Sequence, residues 1–255
     1  MNEVKNYKEF SCSECLNGAE LSFNFSMAFQ DIIDTKSKSV YSREALVRGI
    51  NGESAYSILS QVTDENRYQF DQACRVKAIE LASRLKIDSY LNINFLPNAV
   101  YKPETCIRTT LEASKKYNFP SNKIIFEITE GEKVQNHEHV ISIFTEYKKM
   151  GFLTAIDDFG AGYSGLNLLA KFQPNIIKLD MGLIRSIDKD KVKKIITKAI
   201  VQVCRDLEIT VIAEGVETLD EFKYLNDLNI QYFQGYLFSK PSFESKAKLD
   251  LQFLT

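Results

Sequence analysis

Short apolar, β-branched runs recur along the chain, each followed by a longer stretch in which apolar residues return every three or four positions. The first pattern predicts strands and the second amphipathic helices. Strands are expected at 21–32, 40–47, 90–95, 123–128, 152–157, 175–180, 209–214 and 231–236. Helical patterns cover 54–85, 104–118, 135–150, 164–171, 189–207, 218–227 and 243–253. Pro103 precedes one helical pattern, and Pro120 and Pro174 fall just ahead of strands, where a helix starts or a loop intervenes. Only the first two strands lack an intervening helix. Eight strands with helices after seven of them predict an α/β fold, a TIM-like (β/α)8 barrel with an antiparallel first strand pair. An open doubly wound sheet is the second architecture that fits.

In such a barrel the C-terminal ends of the strands carry the chemistry. There the apolar runs are interrupted by Glu44, Asn94, Glu127, the adjacent Asp157 and Asp158, Lys178 with Asp180, Glu214 and Gln234. A single acidic residue at such a place is most simply the cap of the next helix. Converging carboxylates are another matter, because without compensation they cannot all stay ionised. Glu44, Asn94, Glu127, Asp157, Asp158 and Glu214 are hard oxygen donors with no His or Cys among them, which points to Mg2+ or Mn2+ rather than zinc. Five carboxylates exceed what one Mg2+ usually takes from protein, so two ions are expected. Lys178 shares a strand face with Asp180. It can neutralise a carboxylate, or orient and help deprotonate an attacking water while stabilising phosphoryl charge. The stretch "FGAGYSGL", with Ser164 before a helical pattern, reads either as an ordinary capped turn or as a mobile loop controlling the metals.

Composition narrows the choice of partners. The 255 residues, 44% hydrophobic and 26% charged, suffice for one large core, so one domain is expected over 21–255 with residues 1–20 as an N-terminal extension. A net charge of -2 and a pI near 5.9 provide no global basic field for DNA or RNA. No run approaches the roughly 18 apolar residues of a membrane helix, and no secretory leader is visible. With five scattered cysteines, a reducing cytoplasmic setting is expected. Cys12 and Cys15 form a lone CxxC pair, too few ligands for a metal site, and His137 and His139 suit a solvated loop or helix start.

The motifs are similar, in content and order, to those of the EAL-domain phosphodiesterases that hydrolyse cyclic di-GMP, a bacterial second messenger. They stand here as "EALVR" from Glu44 to Arg48, "NINFLP", "FEITE", "DDFGAGYSGL", "IIKLD", "VIAEGVET" and "QGYLFSKP". Three letters alone would carry little, whereas seven ordered motifs are specific. The resemblance implies two Mg2+ or Mn2+ ions and water attack on one phosphodiester to give linear pGpG. It implies Glu44, Asn94, Glu127, Asp157, Asp158 and Glu214 as metal ligands. Lys178 would sit by the nucleophilic water, Gln234 would hold a water on a metal, and Glu130 would anchor the glycine-rich loop that also serves dimerisation. Arg48 would contact substrate phosphate, with Leu46, Asp180, Tyr236 and Pro241 lining the pocket. A homodimer is implied, and a separate regulatory or sensor protein is a further partner to expect.

Two positions depart from the family pattern: Asp31 stands where Pro is common, and Ala161 replaces the usual Thr. Neither removes a ligand. "EALVRGINGESAYSIL" and "NRYQFDQACRVKAIELA" resemble most the EAL domains attached to blue-light-sensing BLUF domains. These 255 residues hold no flavin-binding domain, so no light response is expected of this chain alone. The rival readings are a catalytically silent cyclic di-GMP receptor or protein-interaction domain, and an unrelated metal-dependent barrel enzyme. An intact ligand set argues against the first and the ordered motifs against the second.

Overall fold

The computed structural model of the chain describes residues 21–100, 102–129, 137–162, 165–249, 251 and 254. Its opening hairpin, β1 (Phe25–Asp34) and β2 (Ser39–Gly49), is antiparallel, as expected. Then follow α1 (Ala55–Leu59), α2 (Arg67–Arg84), β3 (Tyr90–Asn94), α3 (Pro103–Cys106), α4 (Arg108–Lys116), β4 (Ile124–Thr129) and α5 (His137–Lys149). The second half holds β5 (Leu153–Phe159), α6 (Gly165–Lys171), β6 (Ile176–Leu179), α7 (Met181–Ile184), α8 (Lys191–Asp206), β7 (Thr210–Ala213), α9 (Leu219–Asp227), β8 (Tyr232–Gln234) and β9 (Ser242–Phe243). From β2 to β8 every neighbouring pair is parallel, and β1 pairs with both β2 and β8. That double pairing closes an eight-stranded barrel and excludes the open sheet.

The period of two along each strand builds the barrel interior in layers. Ile125, Ala155, Ile176 and Ile212 form an apolar floor with Ile32, packed on Tyr41, Tyr90, Leu153 and Tyr232. Two residues further along each parallel strand stand Glu127, Asp157, Lys178 and Glu214, and Tyr232 is followed in the same way by Gln234. On antiparallel β1 the order reverses, with Gln30 before Ile32. The intervening residues Phe126, Ile156, Ile177, Ala213 and Phe233 point outward into the larger core shared with the helices. Each buried isoleucine of the floor contributes about 1.5–3 kcal/mol, which offsets the cost of the polar layer above it.

The expected 54–85 helix is two helices. Asn66 accepts from the Thr63 amide at 2.8 Å and donates to the Gln61 carbonyl at 3.0 Å, so its side chain stabilises a turn in place of continued helix. The expected helix at 104–118 is likewise split between α3 and α4. The helix expected over 243–253 is absent from the described residues there: β9 pairs with β1, and Glu244 adds a backbone bond to Met27 and a side-chain bond to Ser26. Cys74, Cys106 and Cys204 are buried free thiols, while Cys12, Cys15 and the rest of residues 1–20 lie outside the described residues. Among the described residues no helix is long and apolar enough to cross a membrane.

Candidate metal centre

The polar layer converges on one ammonium. Lys178 is fully buried, and its Nζ lies 3.1 Å from Glu44 Oε2, 3.1 Å from Glu127 Oε2, 3.2 Å from Asp157 Oδ1 and 2.6 Å from Glu214 Oε1. Staggered strand register produces this ring. Asn94 stands opposite Glu127, whereas Glu44 stands opposite Asn92 and Glu127 opposite Ala155, so from β2 to β3 and from β4 to β5 the ring steps two residues along the neighbouring strand, to Asn94 and Asp157. Asn94 donates to Glu44 at 2.7 Å, and Gln234 donates to the other oxygen of Glu44 at 2.8 Å.

Adjacent strand residues normally face opposite ways, yet Asp157 and Asp158 both serve this face. The chain achieves it with a left-handed φ of +53° at Asp158 and a register shift between Ile156 and Phe159 against β6. The Asp158 amide then donates to Asp157 Oδ1 at 2.9 Å. Beyond β8, a Cβ on Gly235 would lie 2.1 Å from the Val216 carbonyl oxygen. Only glycine lets that strand end press against the loop that carries Glu214 and Glu217.

One ammonium cannot balance this many carboxylates. Burial pushes the Glu127 carboxyl up to about 8, with Glu44 and Asp157 raising it further against the pull of Lys178. Burial likewise holds Glu214 well above the usual carboxylate range, and it shares a hydrogen bond with Asp157. For Asp157 burial acts upward too, but Lys178 and its hydrogen bonds outweigh it and leave the group lowered. Asp158 is pushed up to about 6 by burial and by the charges of Asp157 and Asp180. Burial lowers Lys178 by more than any single neighbour raises it, yet four surrounding carboxylates together hold it well above its usual value.

The donor chemistry fits hard divalent cations. One oxygen each from Glu44, Glu127 and Asp157 lie within 4.8 Å of one another, and so do those of Asp157, Asp158 and Glu214. Asp157 thus belongs to two overlapping oxygen triads.

The other expected residues are more scattered. Leu46 and Arg48 line, with Asn94, a cavity of about 260 Å3 beside the cluster, and Arg48 donates to the Val47 carbonyl at 2.7 Å. Asp180 caps α7 by accepting from the Gly182 amide at 2.8 Å. Tyr236 is exposed, with the Lys240 ammonium over its ring, and Pro241 is half-buried. Glu130, Ser164 and the side chain of His137 lie outside the described residues. His139 sits in the first turn of α5 and bonds the Val100 carbonyl.

Two residues of the layer escaped the reading of the sequence. Asn92, two positions before Asn94 and therefore on the same face, donates to Glu127. Gln30 accepts from Gln234 at 3.2 Å and donates to the Ser239 carbonyl at 3.2 Å, which ties the loop after β8 to the Glu44 carboxylate. A lone amide inside an apolar strand was the available signal for both.

Comparison with known proteins agrees with this geometry. The profile of the EAL domain family matches residues 16–241. The crystal structure of a standalone versatile EAL protein from Vibrio cholerae O395, in a c-di-GMP bound form, is 54% identical with a TM-score of 0.89 and covers 92% of this chain and 99% of that one. Klebsiella pneumoniae BlrP1, in a manganese/cy-diGMP complex at pH 9.0, is 36% identical with a TM-score of 0.82, over 89% of this chain and 58% of that one. The blue light- and temperature-regulated antirepressor BluF of Escherichia coli K12 is 33% identical over 218 residues, 85% of this chain. This chain spans 54% of BluF's length. The likeness to BLUF-linked domains is borne out by these relatives, and with the ordered motifs, the closed barrel and a profile match over most of its length, the chain belongs to the EAL domain family.

Proposed function

We propose that this protein is a metal-dependent phosphodiesterase that hydrolyses cyclic di-GMP to linear pGpG. The observation that carries the reading is the pair of oxygen triads meeting at Asp157 around Lys178. The nucleotide-bound Vibrio and Klebsiella structures, the latter with manganese, support it by likeness. Two divalent ions, Mg2+ or Mn2+, would supply electrostatic stabilisation of phosphoryl charge and acidify water when bound. Glu44, Glu127 and Asp157 would hold one ion, Asp157, Asp158 and Glu214 the other, with Asn94 completing the set.

The chain's own groups would arrange the substrate. Arg48 stands at the edge of the cavity, where its guanidinium can hold the phosphate of an extended dinucleotide. Leu46, Asp180, Tyr236 and Pro241 would line the remainder of the pocket. Lys178 would sit by the nucleophilic water, and Gln234, held by Gln30 and Glu44, would orient water as well. Glu130 would anchor the glycine-rich loop. Water attack expels the 3′ oxygen, and the 5′ phosphate stays on the product. The test is incubation of the purified chain with cyclic di-GMP and Mn2+ or Mg2+, with and without EDTA, and chromatography of the products. Metal-dependent pGpG supports the reading; tight nucleotide binding without product replaces it with a receptor.

Metal uptake carries a proton signature. At pH 7 the Glu127 carboxyl, pushed up to about 8, holds a proton that a divalent ion must displace. Mn2+ binding is therefore expected to release about one proton at pH 7 and to strengthen as pH rises toward 8. Calorimetry in buffers of different ionisation enthalpy detects it, and an uptake with no proton release refutes the expectation.

The proposed homodimer has a candidate surface in α8. Val192, Ile195, Ile196 and Val203 are exposed on one side of a helix whose other side buries Thr197, Val201 and Cys204. Ile195→Glu is expected to shift a dimer to monomer in analytical ultracentrifugation without lowering the melting temperature. An unchanged sedimentation coefficient for the variant removes α8 from the interface. A separate sensor protein is a further proposed partner.

A further inference from the structure

On the outer face of the barrel, α2 buries a charge pair that the function proposed above leaves unused. Asp71 Oδ2 lies 2.8 Å from Arg75 Nη2, and both side chains are almost wholly enclosed. Arg75 Nη1 donates to the Tyr147 hydroxyl at 2.9 Å. The guanidinium carbon lies 5.0 Å from the centre of the Phe126 ring, 5.4 Å from that of Phe95 and 5.8 Å from that of Tyr147. The second carboxylate oxygen, Asp71 Oδ1, accepts from the Leu96 amide at 2.9 Å.

These contacts sit directly behind two of the candidate ligands. Phe95 follows Asn94 and Phe126 precedes Glu127, and neighbours on a strand face opposite ways. The backbone that presents Asn94 and Glu127 to the interior therefore carries the two rings that cover Arg75. The Phe95 amide donates to the Glu127 carbonyl at 3.0 Å, so the two strand ends are also joined to each other.

A purely structural role is the simpler account, but it explains little of this arrangement. A buried ion pair seldom outperforms apolar side chains of similar volume, because desolvation consumes most of the attraction. What a carboxylate offers that leucine cannot is direction: it aims at one backbone amide and holds it. We propose that Asp71 and Arg75 are positioning residues for the metal centre. Asp71 fixes the chain at Leu96, Arg75 gathers Phe95 and Phe126 into one layer, and together they set the placement of Asn94 and Glu127 from behind. This inference rests on the metal-centre reading given above.

The test measures Mn2+ affinity by calorimetry on the full chain, with melting temperature recorded alongside. Asp71→Leu, which leaves the Leu96 amide without its acceptor, is expected to weaken Mn2+ binding by about tenfold or more. Asp71→Asn keeps an acceptor for that amide, while both variants strand the Arg75 charge. Both are therefore expected to lower the melting temperature, with Asp71→Asn recovering most of the Mn2+ affinity. A loss of stability without a matching loss of affinity in Asp71→Asn is what a merely structural role would not produce.

If Asp71→Leu binds Mn2+ as tightly as the wild type, or if affinity simply follows melting temperature in both variants, the positioning role is overturned. Wild-type protein and Glu127→Gln serve as controls: Mn2+ binding that is absent from the wild type, or insensitive to Glu127→Gln, overturns the metal-centre reading itself. Should Asp71→Leu not fold, hydrogen exchange in the wild type decides. Mn2+ is expected to slow exchange of the Leu96 amide, and an unchanged rate there overturns the proposal.

Discussion

Alanine in place of Glu44 or Asp157 is expected to abolish hydrolysis of cyclic di-GMP, with turnover falling by at least about 10^3-fold and the fold retained. The two residues differ in place but share a consequence. Asp157 is the common member of both oxygen triads, so its loss removes a donor from each proposed ion at once. Glu44 is the point where Asn94, Gln234 and Lys178 meet, so its loss also frees the amide and ammonium groups that the layer holds in register. Glu44→Gln sharpens the test, because it keeps the volume and one acceptor oxygen while removing charge. It is expected to lose nearly as much as Glu44→Ala. Steady-state kinetics, with circular dichroism to confirm folding, measure both. A folded variant at either position with near wild-type turnover would remove the triads from catalysis.

The layered interior explains why so much of the barrel could be read from sequence. Ile125 with Glu127, Ile176 with Lys178 and Ile212 with Glu214 each place an apolar and a polar residue two positions apart. That pattern exposes both a strand and the level at which its chemistry begins. Gln30 and Asn92 went unseen because a neutral amide in an apolar run carries no charge to betray it, although each completes the same layer. Asp71 and Arg75 were hidden for a different reason. On a helix, charged residues read as a solvated face, yet α2 buries Gln69, Asp71, Gln72 and Arg75. Their partners on the β3 and β4 ends and on α5 are far away in sequence. The C-terminal segment was misread as helical for the same reason. Its backbone is claimed by β1, more than 200 residues earlier, and local periodicity does not encode so distant a partner.

Lys178→Met is expected to cost folding stability in a way that reports on the whole cluster. Four carboxylate oxygens lie within 3.2 Å of the ammonium, and Met fills the same space without charge. Removing one partner of a buried ionic group typically costs about 3–5 kcal/mol, because the charges left behind have no compensation. The sign of the pH dependence follows from the shifts. Lys178 is raised in the folded protein, so its own contribution is fully present below the unfolded lysine value and constant across neutral pH. Asp157 is lowered, so the stability it contributes is present above its unfolded value and lost as pH falls.

Without the ammonium, Asp157 loses the main cause of that lowering, and Glu127 and Glu214 lose the one influence that opposed their rise. The deficit of the variant relative to the wild type should therefore be largest near pH 8 and shrink toward pH 5, where protonation relieves the repulsion. Divalent cations supply the missing charge by another route. Mn2+ should accordingly raise the melting temperature of Lys178→Met by more than it raises that of the wild type. Urea titrations at several pH values and thermal melts with and without Mn2+ test the two halves separately. A deficit that ignores pH would show that the ammonium is not the counter-ion of these carboxylates. A deficit that follows pH but ignores Mn2+ would leave the cluster acidic and the ions elsewhere.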